Sequence, residues 1–295
     1  MIPAQNIIAW SKHAPWAEQR QVEQDLIIAR ALVELFKDPF LRKELRFRGG
    51  TALNKLHFPK PLRYSEDIDL VRTTAGAIGP ILDRVRDTLT PWLGTPRFDQ
   101  SEVAPKFRFR TEAEDGSGLI RLKVEINTRE REAYDPTIAA PFKVDNTWFS
   151  GGTEIPTFSN EELLSTKLRA LLQRNKGRDL IDLSHSLDIF ENLNEKRIVE
   201  LFRKYLDLSG QAISRAQAEQ RMFEKLERPD FLTDVKPLLT AEEAARFTDE
   251  TGREAFAAVF REIIQAIPGE PWANTAGKIE QHELADLLHS SGAKR

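Results

Sequence analysis

Apolar and polar positions alternate along the first half of the chain in patterns that predict a mixture of helices and strands. In residues 19–37 the apolar residues fall near every third or fourth position, which predicts an amphipathic helix. Residues 45–50, LRFRGG, predict a short strand ending in a Gly-Gly turn, and residues 51–58, TALNKLHF, predict the helix that leaves it. Residues 63–71, RYSEDIDLV, alternate with period two and predict a second strand.

A β-hairpin is predicted further along the chain. Residues 106–112 and 118–127 both alternate between apolar and charged positions, and the turn-forming stretch EDGSG joins them. Because successive side chains of a strand point to opposite faces, the hairpin has one apolar and one basic face. The basic face carries Lys106, Arg108, Arg110, Arg121 and Lys123, with Glu125 among the cations.

The second half of the chain is helical by pattern. The stretch GGTEIPTFSN, residues 151–160, predicts a loop, and Ser159 followed by Glu162 forms a capping-box signature that opens the next helix. A further helix is predicted over residues 178–190. Helical periodicity continues to about residue 267, and the tail ending HSSGAKR is expected to be frayed.

Length and composition narrow the class of protein. A chain of 295 residues suggests two domains, which we place at residues 1–155 (α/β) and 156–295 (helical). The hydrophobic fraction of 40% and the charged fraction of 30% are typical of a soluble globular protein, and neither a membrane span nor a secretion signal is evident, so we expect a cytoplasmic protein without membrane contact. Zero cysteines exclude disulfides, thiolate metal sites and cysteine nucleophiles. Because the net charge is −3, attraction for nucleic acid must come from local clusters such as the hairpin.

Two aspartates in the second predicted strand are candidate metal ligands. The period of two places Ser65, Asp67 and Asp69 on one side, with the aspartates roughly 6.5 Å apart. Paired carboxylates at this separation can flank one or two divalent ions, which suits phosphoryl transfer. Glu125 would be a third ligand if the hairpin lies beside this strand. A solvated strand face with alternating charges is the alternative reading of the same pattern.

The Gly-Gly turn before the first predicted helix is a candidate phosphate site. Gly49 and Gly50 carry no side chain, so their backbone N–H groups can approach a ligand, and the following helix start has partial positive charge. That combination suits a triphosphate. The sequence GGT recurs at residues 151–153 but runs into Glu-Ile-Pro, so we interpret the second copy as a loop.

A third charged cluster is predicted in the helical half. Lys167 and Arg174 share a helix face, while Asp179, Asp182 and Ser186 follow the i, i+3, i+7 spacing on the next helix. The lysine could neutralise phosphate charge while the acids orient it, contact a base or assist proton transfer. An inter-helix salt-bridge network is the structural alternative.

Three sequence blocks together resemble the AbiEii/AbiGii toxin family, the MenT-like nucleotidyltransferases of type IV toxin–antitoxin and abortive-infection systems. The blocks are FRGGTALNKL, RYSEDIDL and KLRALLQRNKGRDLIDL, in the family's order, and the resemblance covers roughly residues 20–190. It implies a polymerase-β-like α/β (α+β) nucleotidyltransferase domain with a small mixed sheet, followed by a helical domain. It also implies transfer of a nucleotide from an NTP substrate with Mg²⁺.

The resemblance also implies roles for individual residues of the three blocks. By resemblance, Gly49, Gly50 and Thr51 match the phosphate-binding turn, Asp67 and Asp69 the metal-binding pair, Lys167 the triphosphate-facing lysine, and Asp179 and Asp182 the acids of the last block. Ser65, on the side of the aspartates, is assigned to nucleotide binding with them.

The resemblance implies an RNA 3′ end, in particular the tRNA acceptor end, as the acceptor, with release of pyrophosphate and a block to translation. The basic hairpin would bind the RNA, and a cognate antitoxin is a possible partner. Two alternatives stay open: nucleotidylation of a small molecule or protein hydroxyl, and non-catalytic binding of nucleotide or RNA. The sequence does not specify the preferred NTP.

Overall fold

The computed structural model describes residues 2–289, which form two compact units. Unit 1 comprises Met1–Ser159 and Leu238–Ala241, and unit 2 comprises Asn160–Pro237 and Glu242–Arg295. The end of the tail that the sequence predicts to be frayed lies outside the described residues.

Seven strands among the described residues of unit 1 form one mixed sheet. They are β1 (Leu45–Arg48), β2 (Asp67–Arg72), β3 (Arg97–Asp99), β4 (Lys106–Glu112), β5 (Leu119–Asn127), β6 (Ile138–Asn146) and β7 (Phe149–Thr157). Their order across the sheet is β3-β4-β5-β2-β1-β7-β6. β2 runs parallel to β5 and β1 parallel to β7, and the other neighbours are antiparallel. The predicted small mixed sheet and the predicted hairpin, β4–β5, are therefore confirmed.

The helices of unit 1 pack against this sheet. They are α1 (Ala4–Trp10), α2 (Gln19–Lys37), α3 (Pro39–Glu44), α4 (Gly49–Ala52), which continues as a π-helical segment (Leu53–His57), and α5 (Gly79–Leu93). The predicted amphipathic helix is α2, which packs against β5, β6 and β7. Leu26, Leu32 and Phe36 on α2 are fully buried, and each such side chain stabilises the fold by about 1.5–3 kcal/mol.

The prediction of a loop over residues 151–160 is wrong, because most of these residues belong to strand β7. Gly151 pairs in register with Val144 of β6, and a Cβ on Gly151 would lie 2.7 Å from Lys37 Nζ and 3.2 Å from Val33 Cγ1. A glycine at this position therefore lets α2 pass close to the strand. The second GGT sequence is a strand with a packing role.

The chain after residue 160 is helical, as its periodicity predicts. Its helices are α6 (Asn160–Gln173), α7 (Gly177–Ile189), α8 (Glu195–Asp207), α9 (Arg215–Leu226), α10 (Ala241–Arg246), α11 (Asp249–Val259) with a π-helical continuation (Phe260–Ile264), α12 (Thr275–Gln281) and α13 (Ala285–His289), with a 3₁₀ turn at Lys236–Leu238. Glu162 of α6 is fully buried and accepts a hydrogen bond from Tyr205 Oη of α8 at 2.7 Å, which ties these two helices together. Within the described residues, no helix combines the length and apolar character needed to cross a membrane.

Candidate active site

The predicted acids lie on one polar face of the sheet in unit 1. Parallel pairing of β2 with β5 sets Asp69 beside Glu125, antiparallel pairing with β1 sets Asp69 beside Arg48, and antiparallel pairing of β4 with β5 sets Lys106 beside Glu125. Since side chains at paired positions share a face, these four residues form a row across the strands. The condition under which Glu125 was proposed as a third acid, that the hairpin lies beside β2, is confirmed.

Two further rows of charged side chains lie on the same face of the sheet. Asp67 pairs in register with Lys123, and Lys123 with Arg108, while Arg121 pairs with Arg110. The apolar residues that alternate with these charged residues along the strands are buried on the opposite face, as the alternation predicts. The face therefore changes from acidic at β2 to basic at the far end of the hairpin.

Gly49 and Asp69 are in direct contact. Helix α4 begins at Gly49, which has φ +86°, and a Cβ at this position would lie 2.4 Å from Asp69 Oδ2. The left-handed φ and the close approach both favour glycine. The Gly-Gly pair is thus the first turn of the helix itself, and the structure brings it together with the aspartate pair.

Thr51 and Ser65 fix the segment that leads into β2. Thr51 is buried, its Oγ1 donates to the backbone carbonyl of Asp67 at 2.5 Å, and it lies 2.8 Å from Ser65 Oγ. Asn54 donates to Gly50 O of the helix start at 2.9 Å, and its Oδ1 holds the following loop by accepting from the backbone N–H groups of Leu62 and Arg63, at 2.8 and 3.1 Å. These bonds position the first aspartate relative to the helix start.

Two lysines of the hairpin contact the acids. Lys123 Nζ lies 2.9 Å from Asp67 Oδ2 and 3.3 Å from Glu125 Oε2, and Lys106 Nζ lies 3.5 Å from the same Glu125 oxygen. Burial by itself would lower the pKa of Lys123, but Asp67, Asp69 and Glu125 raise its pKa above the ordinary value, so its ammonium stays charged. The sequence predicted both lysines as RNA contacts, whereas here their charges are paired with site carboxylates.

The remaining cations of the basic face differ from these lysines. Arg108 donates to Asp99 Oδ2 of β3 at 2.6 Å. Arg110 and Arg121 are exposed, and neither side chain forms an ion pair within residues 2–289. These two arginines are the part of the predicted RNA surface whose charge is available to an external partner.

A cavity of about 190 Å³ lies beside the Thr51–Ser65 contact. Its wall includes aromatic side chains, three cations and one acid, namely Trp10, Trp16, Phe58, Phe142, Lys55, Arg63, Lys143 and Asp25. Asp25 pairs with Lys55 at 2.8 Å and accepts from the indole N–H groups of Trp10 (2.8 Å) and Trp16 (3.3 Å). Sequence reasoning did not identify this cavity, although Lys55 belongs to the FRGGTALNKL block and Asp25 to the amphipathic helix predicted over residues 19–37.

The charged cluster predicted in the helical half is present within unit 2. Lys167 Nζ lies 2.8 Å from Asp182 and 3.2 Å from Asp179, and Arg174 makes two hydrogen bonds to Asp179, at 2.6 and 2.8 Å. Both aspartates are fully buried and Lys167 is 6% exposed. Burial alone would raise the pKa of Asp179, but Lys167 and Arg174 lower it below the ordinary value. Ser186 donates to the backbone carbonyl of Asp182 at 2.7 Å. The salt-bridge network considered for these residues is thus observed between α6 and α7.

Comparison with known proteins identifies the family. The family model of the nucleotidyl transferase AbiEii toxin, from type IV toxin–antitoxin systems, matches residues 30–266. The chain belongs to this family. The resemblance given by the three sequence blocks is confirmed, and the protein is a toxin-type nucleotidyltransferase.

Solved structures share the fold of this AbiEii-family toxin. MenT4, a nucleotidyltransferase toxin of Mycobacterium tuberculosis H37Rv, superposes with a TM-score of 0.62 at 18% identity over 98% of each chain. JHP933 of Helicobacter pylori gives a TM-score of 0.53 at 19% identity over 92% of this chain and 99% of its own. A putative nucleotidyltransferase of H. pylori gives 0.50 at 21% identity over 82% and 93%. A search among curated proteins found no match.

Nucleotidyltransferases of this kind generally use a divalent metal and an NTP, and the acids of this AbiEii-family toxin fit such an ion in part. Among residues 2–289, no group of three or more His, Cys, Asp or Glu side chains is arranged to hold a metal, and Lys123 lies between Asp67 and Glu125. The Asp69 carboxylate makes no hydrogen bond or ion pair with a described residue. Burial of the Asp69 carboxylate raises its pKa above the ordinary value, and the negative charge of Asp67 raises it further. A cation beside Asp67 and Asp69 would relieve the repulsion between the two carboxylates. The role of Glu125 as a metal ligand stays a prediction.

Proposed function

We propose that this AbiEii-family toxin transfers a nucleoside monophosphate from an NTP to the 3′-hydroxyl of an RNA, with the tRNA acceptor end as its acceptor, and thereby blocks translation. The observation that carries the proposal is the contact between Gly49 and Asp69 on a sheet face that also displays two exposed arginines, Arg110 and Arg121, without ion pairs to other described residues. A phosphate-binding helix start, an acid pair and a polyanion surface thus share one face of unit 1.

The reaction is a displacement at the α-phosphorus. The 3′-hydroxyl oxygen forms a bond to phosphorus, the bond to the bridging α,β oxygen breaks, pyrophosphate leaves, and the hydroxyl proton passes to solvent. Asp67 and Asp69 would hold Mg²⁺, which supplies positive charge that orients the phosphates and stabilises the developing negative charge.

The backbone of the helix start binds the phosphates of the NTP. The first N–H groups of α4 have no partner within the helix, and they carry partial positive charge. Because Gly49 has no side chain, the Asp69 carboxylate lies directly against this helix start, so a metal held by Asp69 would be close to the bound phosphates. In unit 2, ion pairs with Asp179 and Asp182 position the Lys167 ammonium, and the phosphate-facing role that the resemblance assigns to Lys167 stays a prediction.

The cavity beside Thr51 and Ser65 receives the nucleoside part of the NTP. Its aromatic walls offer stacking surfaces for a base, and its volume of about 190 Å³ admits one heterocycle. Asp25 inside it accepts from two indole N–H groups and pairs with Lys55, so the orientation of its carboxylate is fixed by three contacts. Replacement of Phe142 by alanine is expected to raise the KM for the NTP while leaving the KM for RNA unchanged.

Arg110 and Arg121 guide the RNA backbone. Phosphate contacts by arginine supply affinity without sequence readout, which suits an acceptor recognised at its 3′ end. Membership of a type IV toxin–antitoxin family implies an antitoxin that counteracts this activity.

Transfer of labelled nucleotide is the decisive experiment. Purified protein is incubated with each α-labelled NTP, Mg²⁺ and cellular RNA, and the products are separated into RNA, protein and small solutes. We expect label in RNA of tRNA size and one or more added nucleotides when the 3′ ends are sequenced. Asp69→Asn, shown to be folded by circular dichroism, is the matched control and should give none.

Each alternative has its own outcome. Label in the protein or small-solute fraction would replace RNA by another acceptor hydroxyl. Metal-dependent NTP binding without any transfer would indicate a non-catalytic binder. Equal labelling by wild type and Asp69→Asn would refute the role of Asp69.

A further inference from the structure

Lys123 places a positive charge between two carboxylates of the candidate active site, Asp67 and Glu125. Its Nζ bridges Asp67 Oδ2 at 2.9 Å and Glu125 Oε2 at 3.3 Å, and all three side chains are roughly 30% exposed, so the contact is reachable from solvent. Asp69, by contrast, is turned toward Gly49 and has no ion-pair partner among the described residues. Arg48, which lies beside Asp69 on β1, is itself paired with Glu130, so among the described residues the cluster has one side with an ammonium bridge and one side where Asp69 has no ion pair.

We propose that the Lys123 ammonium takes the place of the second of two divalent ions, so that the active site binds a single divalent ion. This inference rests on the proposed function, because it assumes that Asp67 and Asp69 hold the catalytic metal. It makes Lys123 a catalytic cation of the site and removes it from the RNA surface.

The charge balance supports one ion over two. Lys123 and Lys106 cancel two of the three negative charges of Asp67, Asp69 and Glu125. Two divalent ions a few ångströms apart repel each other strongly, and they are held together in two-metal sites by several shared carboxylates. Only one uncompensated carboxylate charge remains here, which suffices for one ion.

The backbone makes Lys123 a fixed part of this face. Lys123 belongs to the central stretch of β5, which is hydrogen-bonded to β2 on one side and β4 on the other, and it is paired in register with Asp67. An ammonium has three N–H donors, and two point to Asp67 and Glu125. The third is available to an oxygen of the substrate, which is a contact that a second metal would otherwise make.

Counting bound Mn²⁺ tests the inference without measuring activity. Mn²⁺ binding is followed by electron paramagnetic resonance in the presence of a non-hydrolysable NTP analogue. We expect one Mn²⁺ per chain for wild type and two for Lys123→Met. Arg121→Gln is the matched control, since it removes one positive charge from the same face of the same strand without touching an acid, and it should bind one.

Several outcomes would overturn the inference. Two Mn²⁺ ions of similar affinity in wild type would do so whatever the variants show, and so would one Mn²⁺ in folded Lys123→Met. Lys123→Gln, which keeps a polar side chain, serves as the second variant if the methionine protein does not fold. Mn²⁺ binding that is unchanged in Asp69→Asn, or absent from wild type, would instead refute the metal site of the proposed function.

Discussion

Gly49 and Asp69 are matched in shape, because any side chain at position 49 would occupy the space of the Asp69 carboxylate. A Cβ there would lie 2.4 Å from Oδ2 and 3.2 Å from Asp69 Cβ. The helix start and the acid are thereby held at a fixed distance, which under the proposed function sets where phosphate and metal meet.

Gly49→Ala is expected to lose activity and stability together. The left-handed φ of +86° costs about 1–2 kcal/mol for a residue with a Cβ, and the methyl group must also displace Asp69. Displacement of a catalytic group by about 1 Å can cost roughly 100-fold in rate. Thermal denaturation and nucleotide-transfer rates measure the two effects. Gly79→Ala is the control, since nothing lies within 4 Å of its Cβ, and it should behave like wild type.

Asp69→Asn is expected to stabilise the protein while abolishing transfer. Desolvation and Asp67 raise the pKa of Asp69 in the folded state, so ionisation of Asp69 favours the unfolded chain. The folded state is more stable at low pH, where Asp69 is protonated, and this added stability is lost as the pH rises through the raised pKa that Asp69 has in the folded state. The variant should therefore melt at a higher temperature than wild type at about pH 8, and the difference should shrink as the pH falls.

Added Mg²⁺ provides the internal check on Asp69. The ion should raise the melting temperature of wild type and leave that of Asp69→Asn unchanged, because binding to the folded state alone stabilises it. A variant that melts below wild type at about pH 8 would contradict the like-charge repulsion between Asp67 and Asp69.

Lys167→Met is expected to destabilise unit 2 by about 3–5 kcal/mol, because it removes one partner of a buried ion cluster. Asp182→Asn added to Lys167→Met should recover much of that loss, since it neutralises the acid left without Lys167. The double variant should still bind NTP poorly if Lys167 contacts phosphate. Denaturant unfolding and the KM for NTP separate the two roles, and full recovery of both would leave Lys167 with a structural role only.

Arg110→Gln combined with Arg121→Gln is expected to weaken RNA binding and leave the KM for NTP unchanged. Each phosphate contact that is lost should reduce the slope of log affinity against log salt by about one. Arg42→Gln with Lys43→Gln removes the same charge from α3, away from the hairpin, and is the matched control. Equal losses in the two double variants would indicate a general effect of net charge.

Much of the fold is readable from local pattern. Helix α2, the strand–Gly-Gly–helix unit at Gly49, the alternation around Asp67 and Asp69 and the β4–β5 hairpin all follow from periodicity and turn residues. These features depend on contacts between residues close in sequence, which is why the sequence carries them. The family blocks add the identity of the enzyme for the same reason, since each block is contiguous.

Local pattern was misleading where packing overrides propensity. The stretch from Gly151 has the glycine content of a loop, yet it is a strand because α2 passes close over it. The charges of Lys106 and Lys123 show a second effect of tertiary packing. Alternation shows correctly which face they occupy but not that acids of other strands neutralise them.

The sequence by itself determined the family, the main elements and the residue types from which a nucleotide site can be built. Only the tertiary structure decided which charges meet: Lys123 with Asp67 and Glu125, and Lys55 with Asp25. It also placed Asp69 against Gly49, without an ion pair to any of residues 2–289. The physical reason is that cross-strand neighbours are set by sheet order and register. Pairing of β2 with the distant β5 depends on how the whole core packs, and no local pattern encodes it.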